Sequence, residues 1–365
     1  PCLKSLKRYM RADVDSVVIS PDGQYVVVGS LVDLKGIVEI WDLKTDERLH
    51  IFKGRHTDKV LVAIRNDNQY IAGAFGTTVI IWDTITGQLR FEIRYNEKII
   101  SIAFSPDGKF FFAGSEKGTG TLLEIQAGEI IDIISHTGAC EIISITFVPD
   151  QNEVITISAC KEISIWNIKK NQYLDLTLGN IKFGIKSAIE VVAIVPHKYI
   201  VAPGSDETAI IYNMNTGKEM NQLRGHKRDV SSIAIGLRNE LILTGSRDFT
   251  VKVWDVKTGQ CLNTLTDLGT WVISISLDQN RQLIATGSLT SDIKIWDMST
   301  FNAVYTAFQN LTISQALLLE DWYIARRTKK ECNIENAQVR EVFDSLPEEI
   351  KRIMRKLYDN FKVAE

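Results

Sequence analysis

Residues 225–255 read GHKRDVSSIAIGLRNELILTGSRDFTVKVWD. Three short stretches, Val230–Ile235, Leu241–Thr244 and Val251–Trp254, are rich in apolar and β-branched residues, and polar residues break them at strand-like intervals. Gly245-Ser246 closes the second stretch and Trp254-Asp255 closes the third. Thr258-Gly259 then marks a turn into a fourth, Cys261–Leu265. The segment reads as four short antiparallel strands joined by tight turns.

This grammar recurs along the chain. The end of the third strand appears as Ile40-Trp41-Asp42, Ile81-Trp82-Asp83, Ile165-Trp166-Asn167, Ile211-Tyr212-Asn213, Val253-Trp254-Asp255 and Ile295-Trp296-Asp297, with a worn copy at Leu122-Leu123-Glu124. Successive markers lie 41, 41, 43, 46, 42 and 42 residues apart. Ser20-Pro21-Asp22-Gly23 and Ser105-Pro106-Asp107-Gly108 occupy the same early turn, and Thr86-Gly87 and Thr216-Gly217 the same late one. Four antiparallel strands per forty-odd residues make one blade of a β-propeller.

The sequence resembles WD40-repeat proteins over about residues 3–336. One unit matches the family pattern residue for residue, at Gly225-His226, Thr244, Asp248 and Trp254. The resemblance implies that His226, Thr244, Asp248 and Trp254 form a buried structural tetrad, a hydrogen-bond relay that fixes how strands pack. His, Thr and Asp are also the residue types of a hydrolytic triad, but the resemblance places this hydroxyl inside a blade, out of a substrate's reach. Other units depart from the pattern. Ala202 replaces the hydroxyl where Asp206 keeps the acid; Gly76 stands in the acidic place after His56; Cys160 takes that place in the fourth blade.

The number of blades rests on the C-terminal third. Residues 323–336 align without gaps to residues 70–83, placing Glu335-Asn336 at a marker position 39 residues after Trp296. Leu311–Leu319 supplies an apolar strand before them. Cys2-Leu3-Lys4-Ser5-Leu6 resembles the fourth strand Cys261-Leu262-Asn263-Thr264-Leu265. The expected architecture is therefore all-β: an eight-bladed propeller over 1–336 whose N-terminal strand closes the last blade, leaving no free sheet edge at either terminus. The alternative is seven blades, with Ala303–Phe308 completing the seventh.

Beyond Asn336 the hydrophobic period changes from 2 to 3.6. Leu346, Ile350, Ile353, Met354, Leu357 and Phe361 share one helical face. Ser345 and Glu348 have capping-box spacing and Pro347 sits just inside the start. An amphipathic helix over about 346–363 is expected within a C-terminal extension, 337–365. Its stripe packs on the propeller or on a partner helix.

Composition limits the function. The 365 residues carry 42 Lys plus Arg against 45 Asp plus Glu, a formal charge of −3, which argues against a nucleic-acid-binding surface. No apolar run is long enough to span a membrane. The 5 cysteines, Cys2, Cys140, Cys160, Cys261 and Cys332, form no CxxC pair, so neither a zinc site nor a redox motif is indicated. A reducing compartment fits this usage, and a cytoplasmic location is expected, with nucleus and cytoskeleton as alternatives. The chain opens on Pro1 rather than methionine, as a processed product or a piece of a longer protein would. No Walker-type loop, sialidase-type aspartate box or metal-ligand cluster is present, so no enzyme, cofactor or metal is expected.

Propellers bind at the mouth of the central channel. Counting back from the markers puts one residue per blade there: Asp13, Lys59, Lys98, Glu141, Ser187, Asp229 and Trp271, with Asn310 if an eighth blade exists. Arg228 and Arg247 flank this surface. Trp271 aligns with Asp229 rather than with a core position, and aromatic residues are favoured interface anchors. The resemblance implies a non-catalytic scaffold in a multiprotein complex, gripping a partner protein or peptide at the mouth and rim. The alternatives are a ligand-sensing or autoinhibitory module of a larger multidomain protein, and the substrate-receptor propeller of a ubiquitin ligase.

Overall fold

Period-2 alternation becomes seven four-stranded antiparallel sheets in the computed structural model of the chain. It describes residues 2–6 and 12–299, except 58, 136–139, 149–152, 161, 169–171, 175–191, 205, 237–238, 267, 279, 281 and 290–292, and beyond them Phe301, Asp344, Glu348 and Lys351. Two compact units divide the chain, Pro1–Trp296 and Asp297–Glu365. The site and the strands, apart from the terminal Asp297 of the last one, lie in the first.

Strand β1 is Cys2–Leu6. Blade one holds β2 (Asp13–Ile19), β3 (Tyr25–Val32), β4 (Lys35–Asp42) and β5 (Arg48–His56). Blade two holds β6 (Val60–Ile64), β7 (Tyr70–Phe75), β8 (Thr78–Asp83) and β9 (Leu89–Arg94). Blade three holds β10 (Ile99–Phe104), β11 (Phe110–Ser115), β12 (Thr119–Glu124) and β13 (Glu129–Ser135). Blade four holds β14 (Ile142–Val148), β15 (Glu153–Ser158), β16 (Ile163–Asn167) and β17 (Gln172–Leu174). Blade five holds β18 (Ala193–Val195), β19 (Tyr199–Pro203), β20 (Ala209–Asn213) and β21 (Glu219–Leu223). Blade six holds β22 (Val230–Ile235), β23 (Leu241–Ser246), β24 (Val251–Asp255) and β25 (Cys261–Leu265). Blade seven holds β26 (Val272–Leu277), β27 (Leu283–Ser288) and β28 (Ile293–Asp297), with β1 as its outer strand.

Two turn chemistries set the blade spacing. In the early turn, the Ser20 hydroxyl donates to Asp22 at 2.6 Å and accepts the Tyr25 amide at 2.8 Å. Gly23, at φ +72°, supplies the left-handed step. Ser105, Asp107 and Phe110 repeat the arrangement. In the late turn, the acid after the tryptophan caps the bend. Asp83 accepts the amide and hydroxyl of Thr86, each at 2.8 Å, and these bonds draw its carboxyl below the usual range. Asp255 does the same for Thr258, and Asn213 for Thr216. The marker dipeptide thus has two separate jobs: the ring fills the blade and the acid folds the turn.

The core lies between blades. Val27, Val38 and Ile40 of blade one pack with Val60, Val62, Phe75 and Trp82 of blade two. Each blade covers its neighbour's face, so neither is stable alone. The first strands are innermost: β2 meets β6 and β26, β6 meets β10, β10 meets β14, β18 meets β22, and β22 meets β26. Between blades four and five, the Ser144 hydroxyl donates to the Val192 carbonyl at 3.4 Å.

The ring has seven blades, which corrects the eight-bladed expectation. The amides of Val17 and Ile19 in β2 donate to the hydroxyls of Ser274 and Ser276 in β26, each at 3.0 Å. Blades one and seven are therefore direct neighbours, and no eighth sheet separates them. The outer place in blade seven belongs to β1, in the register Ser5↔Lys294 and Leu6↔Ile293. Leu6 is buried with Val14, Val17, Val26, Ile293 and Ile295. Lys4 reaches blade one, pairing with Asp46 at 2.6 Å and donating to the Leu43 carbonyl. Residues 303–343, including the proposed strands there and Asn310, lie outside the described residues. So do Leu346, Ile350, Ile353, Leu357 and Phe361, and the elements of the described residues include no C-terminal helix, so the expected one is not carried further.

Candidate functional site

A common register aligns the candidate residues at the start of the first strands. Val14, Ile99, Ile142, Val230 and Val272 each pair with a serine of the second strand: Ser30, Ser115, Ser158, Ser246 and Ser288. Val60 pairs with Phe75 at the same point. The residues immediately before these positions are Asp13, Lys98, Glu141, Asp229, Trp271 and Lys59. They share one end of the ring, because the inner strands run in parallel around it. The next residue of the adjacent loop pins several of them through the backbone. The amides of Glu116, Ala159, Arg247 and Leu289 donate to the carbonyls of Lys98, Glu141, Asp229 and Trp271 at 2.9, 2.8, 3.0 and 3.2 Å.

Asp13, Lys59, Glu141, Arg228 and Asp229 are exposed, while Lys98 and Trp271 are half-buried. Ser187 lies outside the described residues. The structure brings three of the candidates together at the junction of blades six and seven. The Arg247 guanidinium lies 5.2 Å from the Trp271 ring centroid and 3.6 Å from an Asp229 carboxylate oxygen. A cation held over an indole face beside one exposed carboxylate remains available to a second anion. Arg228 contributes through its carbonyl, which accepts the Ser246 hydroxyl at 2.9 Å.

Below this surface lies the relay of blade six. Trp254 Nε1 donates to Thr244 Oγ1 at 2.8 Å. Thr244 Oγ1 is 2.6 Å from His226 Nε2, and His226 Nδ1 is 2.8 Å from Asp248 Oδ2. One assignment satisfies every donor: the Thr244 hydroxyl donates to Nε2, and a neutral imidazole donates Nδ1–H to the carboxylate. Thr250 and the Lys227 amide also donate to Asp248, at 2.6 and 2.9 Å. Thr250 is a member of the network that the sequence did not reveal; its only signal is its place two residues after the acid.

Burial pulls His226 below its usual pKa, against the opposing effect of Asp248. Burial alone would raise Asp248, but hydrogen bonds from Thr250, Lys227 and His226 outweigh it and lower it. With the folded imidazole harder to protonate than the unfolded one, the unfolded state binds more protons below about pH 6.5. The contribution of neutral His226 is therefore complete above that pH and is lost as pH falls toward the folded pKa. Stability is expected to drop by up to about 1.4 kcal/mol per pH unit in that window. Urea titrations at pH 7.5 and 5.5 check this: His226→Gln flattens the difference, and an unchanged slope in the variant refutes the assignment.

The relay is incomplete elsewhere. Trp166 and Trp296 donate to Thr156 and Thr286 at 3.2 and 3.0 Å. In blade one the corresponding residue is Val28, and the buried Trp41 Nε1 has no hydrogen-bond partner. In blade four the acid is replaced by Cys160, which is bridged to Cys140. The cysteine spacing alone does not indicate this pair. Among the described residues there is no group of three or more His, Cys, Asp or Glu that could hold a metal. No helix among them is long and apolar enough to cross a membrane.

A family profile described as WD domain, G-beta repeat matches residues 88–120, 217–255 and 259–297. A second, described as eukaryotic translation initiation factor eIF2A, matches residues 3–85. Similar proteins include guanine nucleotide-binding protein subunit beta from Zea mays, 29% identical over 132 residues, and from Oryza sativa subsp. japonica, 30% identical over 132 residues. Each alignment covers 34% of this chain and 34% of the relative. U3 small nucleolar RNA-associated protein 12 of Saccharomyces cerevisiae is 26% identical over 200 residues, 50% of this chain and 20% of that protein. The chain spans about a third or less of the length of these relatives.

Proposed function

Because the chain belongs to the WD40-repeat β-propellers, we propose that it is a scaffold subunit that holds a partner protein at the channel mouth over blades six and seven. The ring is a non-catalytic scaffold. The His226–Asp248 pair is enclosed within a blade, with side-chain exposures of 0% and 6%, where no reactant reaches it. The observation that carries the binding reading is the Trp271–Arg247–Asp229 cluster. It joins an aromatic surface to a guanidinium already oriented by stacking. A partner segment lies across the indole and offers a carboxylate to Arg247 in competition with Asp229. The near-neutral charge balance favours a protein over nucleic acid as the occupant. Membership of an assembly is in keeping with relatives named as a subunit or as an associated protein.

Quantitative affinity capture tests it. Trp271→Ala is expected to weaken the partner that uses this site by roughly thirtyfold, with an unchanged melting curve. Ile85→Ser, at a residue 77% exposed in a late turn of blade two, serves as the control and leaves capture intact. If Trp271→Ala folds and captures the same proteins in the same amounts, the mouth over blades six and seven is not the binding site.

A further inference from the structure

Blade four replaces a polar tie with a covalent one. In blade six, Ser246 faces Val230 across the first hairpin; in blade four, Ser158 faces Ile142. Counting two residues outward from each pair, Cys160 takes the place of Asp248 and Cys140 the place of Arg228. Asp248 ties the segment entering blade six to the β23–β24 turn, through the Lys227 amide and His226. In blade four Cys160 stands where that acid would be. There the sulfurs of Cys140 and Cys160 are bonded, with Cα atoms 5.7 Å apart and a sequence separation of 20. That separation is within the range a disulfide spans without moving the backbone.

The bridge is also accessible. Cys160 is exposed and Cys140 half-buried. Cys140 is followed directly by Glu141, one of the mouth residues, whose carbonyl already accepts the Ala159 amide. The covalent tie and this hydrogen bond join the same two chain segments.

We propose that Cys140 and Cys160 are a reversible thiol–disulfide pair whose state sets how firmly the entry of blade four, and Glu141 with it, is held at the channel mouth. The oxidant is a low-molecular-weight disulfide such as oxidised glutathione. The Cys160 thiolate, the more exposed, attacks one glutathione sulfur and releases the other glutathione as a thiolate. The Cys140 thiolate then attacks the Cys160 sulfur and displaces the second glutathione. Two protein thiols and one glutathione disulfide give one protein disulfide and two glutathione thiols, which take up the two protons. Excess reduced glutathione runs the sequence backwards.

The test uses the full chain in buffers of varied reduced-to-oxidised glutathione ratio, with thiols trapped by N-ethylmaleimide and peptides read by mass. A Cys140–Cys160 linked peptide is expected in oxidising buffer and is lost in reducing buffer while the chain stays folded. Cys2 and Cys261, both unbridged, take up single glutathiones instead. Amide exchange over residues 141–148 is expected to be roughly tenfold slower in the bridged form, with β26 unchanged. Cys140→Ser is expected to show the fast pattern in both buffers. If that variant does not fold, the comparison of the two wild-type states decides alone. Absence of the linked peptide at every ratio, a bridge that reduces only on unfolding, or equal exchange rates in the two states overturns the proposal. None of these readouts depends on Trp271, so failure here leaves the binding reading standing, and the reverse also holds.

Discussion

Trp254→Ala is expected to destabilise the propeller by about 4 kcal/mol, the largest effect of any single truncation in blade six. The indole is fully buried, at 0% exposure, against Ile233, Ile242 and Val256. Its removal leaves a large cavity and also takes away the N–H that Thr244 accepts. Two phenylalanine variants separate these contributions. Trp254→Phe keeps a ring and deletes the donor, and is expected to cost about 1–2 kcal/mol more than Trp41→Phe. At Trp41 the deleted N–H has no partner to lose. Urea unfolding of the four proteins, Trp254→Ala, Trp254→Phe, Trp41→Phe and wild type, provides the measurement. Equal costs for the two phenylalanine variants would show that the relay contributes nothing beyond packing.

This contrast also shows what a sequence discloses about a divergent repeat. The Trp-Asp markers carry the blade period, because the turn cap and the core ring are both local requirements that each unit meets alone. The Ala202 and Cys160 departures are equally visible. The blade count is not local. Cys2–Leu6 resembles Cys261–Leu265 because both are outer strands, and that likeness tells where in a blade the strand sits without telling which blade it joins. That choice is made by the Ser5↔Lys294 register and by the hydroxyls of Ser274 and Ser276 on β2, contacts about 250 or more residues apart. The alignment of residues 323–336 with 70–83 carries no such information, and the eight-bladed expectation rested on it.

The candidate site divides in the same way. Counting from the markers names one candidate per blade, and in six blades that candidate stands just before the same register position, while Ser187 of blade five lies outside the described residues. Which residues meet cannot be found by counting. Arg247 reaches Trp271 because the β23–β24 turn of one blade abuts the first residue of the next, a relation between units that the repeat does not encode. Cys140 and Cys160 are likewise distant in sequence and meet only when the first hairpin of blade four closes.

Ring closure gives the second large effect. Leu6→Asp is expected to cost about 4 kcal/mol, whereas Leu3→Asp changes stability by less than about 0.5 kcal/mol. Leu6 is 3% exposed and sits among side chains of blades one and seven, while Leu3 is 51% exposed on the same strand. Placing a carboxylate at Leu6 buries a charge without a cationic partner in that apolar cluster. The sheet then either sheds β1, which opens the seam between the first and last blades, or keeps it with the acid protonated, and both outcomes cost stability at pH 7. The loss should shrink at low pH, where the introduced acid is neutral, and thermal melts at pH 7 and pH 4 read that change directly. Register is tested separately by Ser5→Cys with Lys294→Cys, whose positions are paired across β1 and β28. A cross-link formed in the folded chain places β1 on blade seven. If no bond forms and Leu6→Asp is tolerated as well as Leu3→Asp, the N-terminal strand does not close the ring.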